Sequence, residues 1–127
     1  LLAASFFSPE TKVIAAEPEK ANDAYLSFES KSFVPSVNPD TIADGLRTSL
    51  GELTFPIIMQ YLHDVFTVSE QNIIDAMKLI WERMKIVVEP SSAVTLAVVK
   101  NNPGLFKEKR TGIILSGGNV DLNELPW

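Results

Sequence analysis

Asp64-Val65-Phe66-Thr67-Val68-Ser69-Glu70-Gln71-Asn72-Ile73-Ile74-Asp75-Ala76-Met77-Lys78-Leu79-Ile80-Trp81-Glu82-Arg83-Met84 passes from one structural period to another within a few residues. Asp64 to Val68 is rich in β-branched residues and reads as a strand. Ser69 is a natural helix N-cap, although Asn72 stands where a capping box would carry Glu or Gln. Beyond it Ile73, Ile74, Met77, Ile80, Trp81 and Met84 recur at three- and four-residue steps, which builds one broad apolar helix face. A strand feeding directly into an amphipathic helix is the unit from which parallel sheets are assembled.

The same unit recurs on both sides. Upstream, Lys12-Val13-Ile14-Ala15-Ala16 is an apolar run closed by Glu17-Pro18, which predicts a buried strand ending at a loop. Ala21 to Lys31 follows with Ala24, Tyr25, Leu26 and Phe28 at helical spacing. Lys31 to Asp40, with Pro35, Asn38 and Pro39, is a connecting loop, Asp44-Gly45 is a turn, and Thr54 to His63 is a helix with Pro56 in its first turn. Downstream, Ile86-Val87-Val88 is briefly extended and Glu89-Pro90 opens another helix. Ala93, Val94, Leu96, Ala97, Val98 and Val99 make that helix apolar nearly all round, so it should be deeply buried until Asn101-Asn102-Pro103-Gly104 stops it. Thr111-Gly112-Ile113-Ile114-Leu115 reads as a last strand running into Ser116-Gly117-Gly118-Asn119. Strands apolar on both sides and alternating with helices predict an α/β fold, a parallel sheet covered by helices on both faces. There is no internal repeat, low-complexity tract or second domain.

The chain has 127 residues, enough for one domain with a core, and its 46% apolar and 21% charged residues are ordinary for a globular protein. A net charge of −5 with scattered lysines and arginines argues against a nucleic-acid partner. The absence of cysteine excludes disulfides and thiolate metal sites, and permits a reducing cytoplasm. No apolar run approaches the ~20 residues of a membrane span. Leu1-Leu2-Ala3-Ala4-Ser5-Phe6-Phe7 has no basic residues before it and reads as the tail of a cut helix rather than a signal peptide.

Ligands of such sheets collect beyond the carboxyl ends of the strands, where Glu17, Glu89 and Ser116 fall. Glycines after a strand let the backbone approach a ligand closely, although a Gly-Gly turn more often simply ends a strand. Glu17 and Asp23 bracket a strand-to-helix loop of a kind that binds Mg²⁺ or Ca²⁺, but their spacing alone fits helix capping better. His63, the one histidine, stands at a helix end beside Asp64 and is given no role. No nucleophile–base pairing and no complete phosphate-binding glycine loop is present, so no machinery for independent catalysis is evident.

Taken in order, Lys12-Val-Ile-Ala-Ala-Glu-Pro18, Thr41-Ile-Ala-Asp-Gly-Leu46, Trp81-Glu-Arg-Met-Lys85, Val88-Glu-Pro-Ser91 and Ile114-Leu-Ser-Gly-Gly-Asn-Val-Asp-Leu122 resemble the serine racemase and serine/threonine dehydratase family of fold-type II pyridoxal-phosphate enzymes. The resemblance runs through nearly the whole chain. It implies that residues 1–127 are the carboxyl-terminal portion of the large domain, without the small domain. It also implies an amino-terminal half, missing here, that carries a Ser-x-Lys segment for the Schiff base and a glycine run for the cofactor phosphate. No catalytic residue would then lie in this chain, which should be inactive and poorly soluble alone.

Residue by residue, the resemblance implies that Ser116 hydrogen-bonds the pyridine nitrogen of pyridoxal phosphate, with Gly117 beside it, Gly45 lining the pocket and Glu89 near the ring. It implies a Mg²⁺ or Ca²⁺ site at Glu17, the carbonyl of Ala21, and Asp23, against the capping preference of spacing alone. Lys85 and Asn119 match contacts to a nucleotide effector, ATP. Ser91-Ser92-Ala93 departs from a family pattern that often carries glycine. The complete protein is expected to be a cytoplasmic homodimer acting on serine, threonine or a related β-hydroxy amino acid. The competing expectation is a non-catalytic α/β module that kept the sheet and a divalent-cation or small-molecule site.

Overall fold

The computed structural model describes residues 1–127. Its elements, in chain order, are α1 (Leu2–Phe7), β1 (Ile14–Pro18), α2 (Asp23–Ser30), a 3-10 turn (Asp44–Leu46), α3 (Thr54–Tyr61), β2 (Asp64–Val68), α4 (Glu70–Met84), α5 (Pro90–Asn101) and α6 (Pro103–Phe106). The strands β1 and β2 pair in parallel, from Ile14 opposite Asp64 to Pro18 opposite Val68. Parallel pairing requires a crossover, and α2, the 3-10 turn and α3 supply it.

Side chains alternate along a strand, so Ala16 and Glu17 leave β1 on opposite faces. On the Ala16 face lies the main core, where α4 contributes Ile73, Ala76, Met77 and Ile80 and α5 contributes Ala93, Val94, Ala97 and Val98. Val68, Val88 and Ala43 complete that cluster, and Ala16 and Phe66 pack against it. On the other face, Glu17 reaches the amino end of α2. α4 begins as its sequence predicts: Ser69 accepts the N–H of Asn72 at 3.3 Å, and Lys85 closes the helix in the left-handed region. The Asn72 amide that spoils the capping box instead receives the Ser69 hydroxyl and the Asn101 amide, tying the start of α4 to the end of α5.

Two expectations need correction. Thr111–Leu115 forms no strand and joins no ladder, and Ile114 is 81% exposed. A strand is a property of a pair, and no segment of the chain pairs with this one. Met84 leaves the α4 core stripe and is 57% exposed, because the chain turns away at Lys85 directly after it. Asn101-Asn102-Pro103-Gly104 ends α5 as the sequence predicts, and Pro103 then opens the short α6, whose first position needs no N–H. No helix is long and apolar enough to cross a membrane.

Candidate functional site

Two groups of predicted residues come together, at the ends of different elements. The first surrounds Glu89, the N-cap of α5. Its carboxylate does not cap its own helix. Instead Oε2 accepts the N–H of Asn119 at 3.0 Å, while the Glu89 N–H donates to the carbonyl of Gly117 at 3.3 Å. The Ser116–Asn119 turn is therefore fastened to the start of α5 at two points. Gly117 has φ +79°, in the region that favours glycine, and a Cβ there would stand 2.4 Å from the Glu89 carboxyl. A Cβ on Gly118 would meet the Val87 carbonyl at 3.1 Å. Gly117 is thus favoured by its left-handed backbone with the Glu89 carboxyl beside it, and Gly118 stands tightly against the Val87 carbonyl.

Gly45 joins the same group from the 3-10 turn. Its N–H is shared between Asp44 Oδ1, at 2.9 Å, and Ser91 Oγ, at 3.1 Å. A Cβ at Gly45 would lie 3.0 Å from Ser91 Oγ and 3.8 Å from Glu89 Oε1. So Gly45, Glu89 and Gly117 form one surface, and Ser116 stands exposed at its rim. Backbone-lined walls with one hydroxyl and one carboxylate offer the kind of polar groups that hold a flat polar ring, while the space that a Cβ would take at Gly117 and Gly45 is filled by Glu89 and Ser91. Trp81 buttresses the group from behind, its indole N–H donating to the Val88 carbonyl at 2.9 Å.

The second group is the loop between β1 and α2. Glu17 accepts the N–H of Tyr25 at 2.7 Å and that of Ala24 at 3.2 Å. Burial nevertheless pushes its carboxyl up to about 7, with nearby Asp23 adding to the rise and the two N–H groups opposing it. Asp23 is only 4% exposed. Its Oδ2 accepts the N–H of Leu50 at 3.3 Å, and its Oδ1 is buried without a partner. Ala21 is buried between them. Two desolvated carboxylates, one with an unpartnered oxygen, suit a hard divalent cation completed by water. No cluster of three or more His, Cys, Asp or Glu side chains forms anywhere in the chain.

The remaining predicted residues are set apart. Lys85 is exposed at the C-cap of α4, and Asn119 meets the first group only through its backbone. Ser92 is buried at the start of α5 with its hydroxyl unpartnered. Two contacts escaped the sequence: Ser91 holding Gly45, and Glu70 accepting the N–H of Ile42 at 2.8 Å. They join residues 46 and 28 positions apart, and only the acid in the first turn of α4 hinted at either.

The sequence profile of the family described as pyridoxal-phosphate dependent enzyme matches residues 2–117. A beta-hydroxyaspartate dehydratase of Paracoccus denitrificans is 50% identical over 126 residues, which are 99% of this chain and 40% of that protein. A serine racemase of Dictyostelium discoideum is 50% identical over 131 residues, 98% of this chain and 40% of its own length. The solved structure of maize serine racemase superposes with a TM-score of 0.88 at 40% identity, covering 95% of this chain and 39% of that one. The chain thus spans about two fifths of the length of the curated relatives it matches. With a family match across most of its residues and a shared α/β architecture, the chain belongs to the pyridoxal-phosphate dependent enzymes.

Proposed function

We propose that the polypeptide carrying this chain is a pyridoxal-phosphate-dependent dehydratase or racemase of serine, threonine or a related β-hydroxy amino acid. The observation that carries this reading is the Ser116–Asn119 turn clasped to Glu89, with Gly117 in the left-handed region against the Glu89 carboxyl. Relatives named as serine racemase and beta-hydroxyaspartate dehydratase support the substrate class. Pyridoxal phosphate, when bound, supplies an electron sink for negative charge developing at the substrate's Cα. Ser116 would donate its hydroxyl to the pyridine nitrogen. A neutral partner leaves that nitrogen largely unprotonated, which moderates the sink and favours loss of a β-hydroxyl or return of a proton. Gly45 and Gly117 would pack against the ring, and Glu89 would present its carboxylate nearby.

In this reading Glu17, the carbonyl of Ala21, and Asp23 hold Mg²⁺ or Ca²⁺ as a structural or activating ion, supported by the buried, unpartnered Asp23 Oδ1. Lys85 and Asn119 would meet a nucleotide such as ATP. A homodimer in the cytoplasm belongs to the same reading. The chain holds no Ser-x-Lys, so it should be inactive without an amino-terminal half of the same protein. That half would cover a cavity of about 900 Å³ between β1 and residues 110–114.

The test is spectroscopic. The polypeptide carrying this chain, mixed with pyridoxal phosphate, should develop a visible absorption band that serine or threonine perturbs; no band overturns the assignment. The second reading, a cation-binding module without catalysis, is favoured by the cation loop alone. It predicts that the 127 residues bind Mg²⁺ or Ca²⁺ in calorimetry and that the longer polypeptide shows no cofactor band.

A further inference from the structure

The wall contributed by Gly45 is not held by regular structure. Only one 3-10 turn lies in the Thr41–Arg47 segment, and besides local bonds such as that of the Gly45 N–H to Asp44 Oδ1 at 2.9 Å, two side chains from distant elements hold it. The Ile42 N–H donates to Glu70 Oε2 at 2.8 Å, and three residues later the Gly45 N–H donates to Ser91 Oγ at 3.1 Å. Glu70 is the first residue of α4 and Ser91 the second of α5, so both anchors stand on the opening turns of the two helices that build the core. Between the two bonds Ala43 is fully buried in that core. A segment gripped at both ends and plugged in the middle cannot slide without breaking one of the three contacts.

Glu70 carries a second mark. Its Oε1 is buried without a partner. An acid in the first turn of a helix interacts favourably with the helix dipole while remaining in water. Drawing it inward, with one oxygen unpaired, costs stability that a solvated carboxylate would keep. The contact that accompanies that cost is the one to Ile42.

We propose that Glu70 and Ser91 are positioning residues of the cofactor site, setting where the Gly45 backbone stands and so the wall against which pyridoxal phosphate packs. This rests on the cofactor-binding reading given above. The test compares E70A and S91A with E70Q and S91T, which keep an acceptor oxygen at each position, in the polypeptide carrying this chain. Amide hydrogen exchange at Ile42 and Gly45 and the melting temperature are followed without cofactor; the Kd and absorption spectrum are followed with it. Each alanine variant should speed exchange at its own amide, weaken pyridoxal phosphate about tenfold and shift the bound band, and E70Q and S91T should recover most of the affinity. Faster exchange and a lower melting temperature with unchanged Kd and spectrum would make both residues merely structural and overturn the proposal. A wild-type protein that binds no pyridoxal phosphate would instead overturn the reading beneath it. Should E70A fail to fold, S91A against S91T decides on the same readouts.

Discussion

Glu17 stands at the point where capping and cation binding compete. Its carboxylate accepts two N–H groups of α2, yet burial, with the help of Asp23, raises it from 4.5 to about 7. Between those values the folded chain holds a proton that the unfolded chain has released. Raising the pH through this window therefore lowers stability; below it both states are protonated, and above it both are ionised. The chain without divalent ions should melt at a lower temperature at about pH 8 than at about pH 5.5, and Glu17→Gln should flatten that dependence. A cation favours the ionised carboxylate, so Mg²⁺ or Ca²⁺ should restore wild-type stability at the higher pH but not that of the variant. Equal pH profiles for wild type and variant would show that Glu17 carries no such proton. Gly117 gives a second outcome at this scale. Alanine there meets the left-handed backbone penalty and drives the Glu89 carboxylate away from the Asn119 N–H. Gly117→Ala should cost about 2–3 kcal/mol in urea unfolding, whereas a cost near zero would mean that the turn moves freely.

Among the elements, the junction of α4 and α5 does the most to shape the site. Trp81 in the last turn of α4 reaches forward to the carbonyl of buried Val88, and its ring meets Trp127 edge to face at 5.5 Å. Trp81→Phe keeps an aromatic ring but orphans that carbonyl, so urea unfolding should show a loss of about 1–3 kcal/mol. Elements whose cause is local were legible in the sequence. β2 follows from Asp-Val-Phe-Thr-Val, and α4 from Ser69 and its apolar stripe. Thr111–Leu115 is likewise apolar but pairs with no other segment, and so forms no ladder. The site divides in the same way. Glu17, Glu89 and Gly117 stand where strand ends and glycine turns directed attention, whereas Glu70 to Ile42 and Ser91 to Gly45 depend on packing that no local pattern encodes.

At the scale of the whole molecule, two paired strands are few for a parallel sheet, because such sheets bury both faces and are flanked by further structure. Beside β1 lies a cavity of about 900 Å³, lined also by residues 111–114 and by Val98, Val99 and Phe106 of α5 and α6. Unpaired backbone beside exposed apolar side chains is the arrangement through which chains join edge to edge. The net charge of −5 opposes association only weakly at physiological salt, since exposed charges are screened within about 8 Å. The 127 residues alone should therefore self-associate, with light scattering that rises with concentration and a dye for apolar surface binding to the same species. Ile114→Lys places a charge at the rim of this groove, on a side chain 81% exposed, and should suppress association without lowering the melting temperature. In the longer polypeptide proposed above the same lysine should be destabilising, because there the position would be covered. A chain that stays monomeric and dark to the dye, with Ile114→Lys indistinguishable from wild type in both settings, would mean that this groove is an ordinary surface and that nothing completes the sheet across it.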